Sequence, residues 1–346
     1  MSDNQHFLPQ HLDFFALLKQ QEMQKAIRRD ELAKLVTTAP VQEEIVKEIV
    51  WLGPVEREAV LRCHPGYEIE RKLKSLWSML SIFNRAHEDL IAQLNRFHVF
   101  SLTDDMYLPV GRLQLEEINM AVKKELVAFS AASSALVAFS RRLKDSIVIP
   151  ELGEQIATTF DSQEHKFVTS LRNIVLHQEL PDVGWQVKYE AERETNFVIQ
   201  TEHLRDQKDL SKEARAFINR CPNGIHVRVF AESYAARVRE FYSWYKSAIE
   251  IREPEPLVDY RRIVRECMAN ASRTMFHLIL QQINGKKIDP FKHLNKYLLP
   301  NQLNKALTLP MRSKEQVDFI IDAADKHKAC NDELRQMIYR LFEVPD

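Results

Sequence analysis

Glycine is scarce in this chain, with seven residues in 346. That leaves little room for the Gly-rich loops that cradle phosphates, and no such loop is found. HExxH and nucleophile-elbow motifs are also missing, so nucleotide hydrolysis, zinc proteolysis and α/β-hydrolase chemistry have no support. Cysteine is sparse as well. Cys63, Cys221, Cys267 and Cys330 are widely scattered and form no CxxC pair. A disulfide framework or zinc site is therefore not expected, and reduced thiols with no metal and no cofactor are. Neither charge sign is in excess. The net charge of -1 excludes an evenly basic coat for nucleic acid but permits a local patch. Long apolar runs are absent too. The longest uncharged stretch, Leu126 to Ser140, has fifteen residues, short of the about 20 a membrane span needs. The first residues show no basic segment leading into an apolar core, so a cytoplasmic protein with no membrane segment is expected.

The residues that are plentiful favour helix. Hydrophobic residues make up 45% of the chain, ample for a sizeable core, and Ala, Leu, Glu, Lys, Arg and Gln are plentiful. Helices are expected over 9–37 and 41–62, separated by Thr-Thr-Ala-Pro, with Pro54 and Pro65-Gly66 as punctuation. The cleanest pattern follows. Ile69, Leu73, Leu76, Leu80, Phe83, His87, Leu90, Leu94 and Phe97 recur at alternating steps of four and three, a heptad seam. A second long helix is expected over 112–147, with an Ala- and Ser-rich middle that permits close helix contact. A third is expected to open at Pro150 and run to His177, closed by Leu180-Pro181.

The period then changes. Trp185, Val187 and Tyr189 alternate with polar residues, as do Phe197, Ile199 and Thr201, which predicts a β-hairpin. Further helices are expected near 211–219, through the aromatic-rich segment after Gly224, and near 257–284 and 313–342. Glu-Pro-Glu-Pro at 253–256 reads as a linker. The expected fold is all-α: a helical bundle with an inserted β-hairpin and extra N- and C-terminal helices. Its expected divisions are an N-terminal helical segment over 1–64, the bundle over 65–252 with the hairpin near 185–205, and a C-terminal helical segment over 253–346.

One short stretch collects groups with chemical potential: Arg172-Asn173-Ile174-Val175-Leu176-His177. An arginine can hold a phosphate, and a histidine can move a proton near neutral pH. Arg followed by His after four to six residues also occurs at Arg57–His64 and Arg220–His226, so the spacing alone is weak. Only the middle pair carries Asn directly after Arg late in a long amphipathic helix. Positions five apart on a regular helix point about 140° away from each other, whereas Asn173 and His177, four apart, share a face. Convergence of Arg172 with His177 needs the arginine stem to wrap round, the helix to loosen, or a second copy across a two-fold axis.

This stretch resembles the motif of the HEPN superfamily, helical bundles with Arg-x4–6-His and often a polar residue after the Arg. Compatible helical context extends from 67 to 252. The resemblance implies a metal-independent endoribonuclease working as a homodimer on RNA, of the kind found in toxin–antitoxin and phage-defence systems, with an antitoxin or regulatory protein as a further partner. Under it, Arg172, Asn173 and His177 are the catalytic residues. The structural alternative makes His177 a satisfied core histidine and leaves Arg172 to pair with a carboxylate or bond carbonyls at the helix end. The corresponding function is a non-catalytic helical interaction or RNA-binding protein.

Other groups read more simply. His87 lies within the apolar seam and is expected to be buried and hydrogen-bonded. Cys63-His64 lacks partners at metal-ligand spacing. Phe241-Tyr242-Ser243-Trp244-Tyr245, flanked by Arg237, Arg239 and Lys246, suits core packing with a wet edge better than base stacking. Arg261, Arg262 and Arg265 read as a solvated face.

Overall fold

The computed structural model describes residues 10–177, 182–189, 193–205, 207, 210–286 and 288–345. The all-α expectation holds. Fourteen α-helices and one small sheet form the described chain, which divides into two compact units, Ile69–Pro254 and the pairing of Met1–Glu68 with Glu255–Asp346.

The unit over Ile69–Pro254 is built on α4 (Pro65–Ser101), α5 (Pro109–Leu143) and α10 (Val227–Ile251). The heptad seam of α4 faces inward, with Leu73, Leu76, Phe83, Leu90, Leu94 and Phe97 buried. On α5 the apolar stripe from Leu115 to Leu136 is buried together with Ser130, Ala132, Ser133 and Ser140. These small side chains let large neighbours approach: the Ser140 hydroxyl meets the Tyr242 hydroxyl at 2.7 Å, and Tyr242 donates to the Leu136 carbonyl at 3.0 Å. By length and composition α5 is also long and apolar enough to cross a membrane, and half of its most apolar window is buried inside the protein. Rings from separate helices fill the centre, with Phe83, Phe129, Phe230 and Tyr234 in tilted and edge contacts at 5.3–6.5 Å.

The segment expected as one helix from 150 to 177 is two, α6 (Leu152–Phe160) and α7 (Gln163–His177). Neither Gly nor Pro marks the break. Ser162 makes it by turning its hydroxyl to accept from the His165 amide at 3.2 Å, satisfying a donor at the start of α7. Leu180-Pro181 lie outside the described residues.

The hairpin forms as expected, β1 (Val183–Tyr189) antiparallel to β2 (Arg193–Ile199), with Trp185 opposite Phe197. Its burial does not simply alternate: Phe197, Val198 and Ile199 are all buried. Phe97 of α4 covers one side, meeting the Phe197 ring edge-on at 4.7 Å. A two-residue strand, β3 (Ile225–His226), pairs with β2 and completes a three-stranded sheet. Gly224 leads into β3 with φ of +89° and lies against Val198, where a side chain has no space. The short α8 (Glu202–Arg205) and α9 (Lys212–Asn219) connect β2 to this turn.

The other unit contains α1 (Gln10–Leu35), α2 (Glu43–Trp51), α3 (Pro54–Leu61), α11 (Glu255–Lys286), α12 (Pro300–Thr308), α13 (Lys314–Ala324) and α14 (Asp332–Phe342). The stretch 41–62 is broken at Gly53-Pro54, where proline opens α3 at its first turn. The stretch 313–342 is likewise divided, because Asn331 caps a new helix by accepting from the Leu334 amide at 3.0 Å. Two cores result. Leu32, Val46, Ile49 and Val60 pack with Tyr260 and Ile263, while Leu294, Val317, Ile320, Ile321 and Phe342 form the second.

Candidate functional site

Helix α7 carries the Arg-Asn-x-x-x-His stretch in its last two turns. Phe167, Val168, Leu171 and Ile174 bury one face of the helix, as the 3.6-residue period requires. Arg172 and Asn173 flank that face and are half-buried. The Arg172 guanidinium donates from Nη1 to Asn173 Oδ1 at 2.9 Å. Among the described residues Arg172 has no carboxylate in ion-pair contact. The bond draws the guanidinium towards the Asn173 side of the helix, the side on which position 177 falls one turn later. Helix α7 is regular through His177, so loosening of the backbone does not bring the pair together before that point. The His177 side chain lies outside the described residues, and so does that of Tyr189.

His165, in the first turn of α7, was not singled out by its sequence context. It is 5% exposed. Its Nδ1 lies 2.7 Å from the Tyr234 hydroxyl, and the two rings are nearly parallel, at 8°. The edge of Phe160 closes another side at 5.1 Å. Burial, with lesser contributions from the charges of Lys166 and Arg141, pushes the His165 pKa down to about 4. The imidazole is therefore neutral at pH 7 and suited to holding Tyr234 rather than to shuttling protons. It stands seven residues from Arg172, about 10 Å along the helix.

His87 is buried as expected. Its Nδ1 accepts from Arg239 Nη2 at 3.0 Å, and Arg239 Nε donates to Asn84 Oδ1, also at 3.0 Å. With Nδ1 accepting, the proton belongs on Nε2, which is buried and meets no partner among the described residues. Burial and the adjacent guanidinium both lower the His87 pKa. Beside this pair runs a groove of about 420 Å³ lined by Trp77, Ser81, Asn84, Arg239, Ser243 and Lys246. In the neighbouring aromatic run Phe241, Tyr242 and Tyr245 are buried, so these rings pack the core.

In the other unit His64 has both ring nitrogens committed. The Gly66 amide donates to Nδ1 at 3.0 Å, and Nε2 stands 3.2 Å from Asp259 Oδ2. No lone pair is left for a metal. Among the described residues no cluster of His, Cys, Asp and Glu has the arrangement to hold one. Arg262, read from sequence as part of a solvated face, is a clamp. It donates to Asp259 Oδ1 and to the Val41 carbonyl, each at 2.8 Å.

Comparison of the chain with protein-family models, with curated proteins and with solved structures found no match.

Proposed function

We propose that this chain is a metal-independent endoribonuclease of HEPN type, acting as a homodimer, with Arg172, Asn173 and His177 as its catalytic residues. The observation that carries the reading is the Arg172–Asn173 bond at the end of α7: a half-buried guanidinium held by a neutral neighbour. A cation that meets no carboxylate among the described residues keeps its attraction for phosphate.

The chemistry follows from the groups. Histidine titrates near 6.5 in the absence of perturbation. His177 takes the proton from a ribose 2′-OH as that oxygen bonds to phosphorus. The bond from phosphorus to the 5′ oxygen breaks, and the leaving oxygen receives a proton from His177 of the second copy. Arg172 stabilises the charge growing on the non-bridging oxygens. Asn173 accepts from Arg172 through Oδ1, and its amide NH2 remains to donate to phosphate or to orient the imidazole. The products are a 2′,3′-cyclic phosphate and a 5′-hydroxyl. Two copies are invoked because residues 172 and 177 diverge by about 140° on one regular helix. A toxin or phage-defence role, with an antitoxin or regulatory partner restraining it, belongs to the same proposal.

A second reading, a non-catalytic interaction protein, draws on a different observation. Around the turn from α4 to α5 the side chains of Val99, Leu102, Leu108, Val110 and Leu113 all stand exposed, Val110 by 80%. Exposed apolar side chains gathered around one turn are the kind of surface that meets a partner.

Purified protein incubated with end-labelled RNA in EDTA separates the two. Cleavage by the wild type that leaves cyclic phosphate ends, is lost in Arg172→Ala and His177→Ala, and is blocked by a 2′-deoxy nucleotide at the cut site supports the nuclease. RNA left intact by wild-type protein while a partner is retained through the α4–α5 turn supports the second reading.

A further inference from the structure

The C-terminal half of α11 presents an apolar stripe that the fold does not finish covering. Phe276, Ile279, Leu280 and Ile283 follow the i, i+3, i+4, i+7 spacing of a core-facing helix, yet each is only partly buried. Opposite them stand Ile321 of α13 and Ile338 of α14, and the half-open space between them is about 330 Å³. That volume lies within the range of small-molecule sites. Water gains little there, because the walls supply few polar partners.

The polar groups at the cavity are unevenly charged. His293 and Lys296, from the 3-10 turn Pro290–Lys296, line it together with Asp325. Asp325 is already committed: its two carboxylate oxygens accept from the Ala329 and Cys330 amides at 2.9 and 2.7 Å. Lys296 has no ion pair among the described residues. The charge left to meet a ligand is positive. A volume in the small-molecule range with mostly apolar walls suits an acyl chain of medium length.

We propose that this cavity binds a free medium-chain fatty acid, the acyl chain between α11, α13 and α14 and the carboxylate at Lys296 and His293. The site is independent of the Arg172 stretch and of the nuclease reading. The apolar walls provide the affinity, and Lys296 distinguishes a carboxylate from a neutral head.

The test is titration of the full-length protein with dodecanoate and with dodecanol, read by calorimetry, with hydrogen exchange on the wild-type complex. Saturable one-to-one dodecanoate binding is expected, with amide protection gained in the second half of α11 and in α14. Ile338→Trp, which fills the space, abolishes it. Lys296→Glu, at an exposed position, weakens dodecanoate by about fivefold and leaves dodecanol unchanged, the size appropriate to an exposed ion pair. Circular dichroism checks that Ile338→Trp is folded; if it is not, the exchange map and Lys296→Glu decide. Absence of wild-type binding, binding that survives in folded Ile338→Trp, or protection elsewhere overturns the proposal. So does a Lys296→Glu variant that treats both ligands as the wild type does. A dimer that the wild type forms and Ile338→Trp dissolves, without fatty acid binding, assigns the cavity to a second copy and also overturns it.

Discussion

His64 and Asp259, 195 positions apart in the chain, meet at 3.2 Å in a site where both side chains are buried. The carboxylate does more than hold the histidine. Its Oδ2 also accepts from the Val41 amide at 2.7 Å, and its Oδ1 accepts from Arg262. Burial pushes the Asp259 pKa up, but the bonds from Val41, Arg262 and His64 outweigh it and hold the group below the ordinary aspartate value. One carboxylate therefore joins the α1–α2 connection, the start of α4 and the first turns of α11.

Asp259→Ala leaves the buried Val41 amide and His64 Nε2 without their acceptor and takes one of its acceptors from Arg262. Breaking a buried, multiply bonded charge in this way costs about 3–5 kcal/mol. Urea unfolding should show that loss, and a change below about 1 kcal/mol would mean that the hub contributes little.

Acid should destabilise the protein before its carboxylates titrate. His165 binds a proton near 6.5 when unfolded and at about 4 when folded. A depressed pKa gives stability that is complete above the unfolded value and lost as pH falls towards the folded one. The window is therefore pH 6.5 down to about 4, and the loss is on the order of 3 kcal/mol. His64 and His87, both lowered chiefly by burial, act in the same direction. His165→Phe should flatten the slope of stability against pH across this window without abolishing it. An unchanged slope would show that His165 is not the principal titrating group.

Asn173→Asp tests the proposed site without removing bulk. A carboxylate at 173 pairs with Arg172 and neutralises the cation intended for phosphate. RNA cleavage should fall by about 100-fold, the scale set by loss of a transition-state anion donor, while the unfolding midpoint stays near that of the wild type. Cleavage at the wild-type rate would remove the Arg172–Asn173 pair from the mechanism.

Gly66→Ala should be poorly tolerated. In the first turn of α4 the position faces the Pro256 carbonyl and Cβ of Tyr260, so a methyl group there collides with backbone. The expected loss is at least about 3 kcal/mol, at the upper end of overpacking effects, and denaturant unfolding measures it. A variant as stable as the wild type would show that α11 shifts freely away from this point.

Much of the helical architecture was legible because its signals are local. The seam from Leu73 to Phe97 repeats within one helix, and burial follows it at every position but Leu80, which is only partly covered. The hairpin was legible for the same reason, through short-range alternation around a turn. The break between α6 and α7 was not, since Ser162 resembles any surface serine until its hydroxyl is placed on the His165 amide. The clamp made by Arg262 has no local signal, because its acceptors include the Val41 carbonyl, 221 positions away. His165 gave no signal at all, its partner Tyr234 lying 69 positions further along on α10. At the candidate site the sequence placed Arg172 and Asn173 on α7, but whether they touch depended on a side-chain torsion.

The sequence by itself determined which segments are helix, where the hairpin lies, and which faces are apolar, because hydrophobic periodicity and turn residues act over a few positions. Tertiary structure alone decided which buried polar groups meet, that Met1–Glu68 forms a unit with Glu255–Asp346 rather than with the segment between them, and that α11 leaves part of its apolar stripe uncovered. These outcomes depend on contacts between positions far apart in the chain. Their energies arise only once packing has excluded water and brought specific donors, acceptors and surfaces within reach.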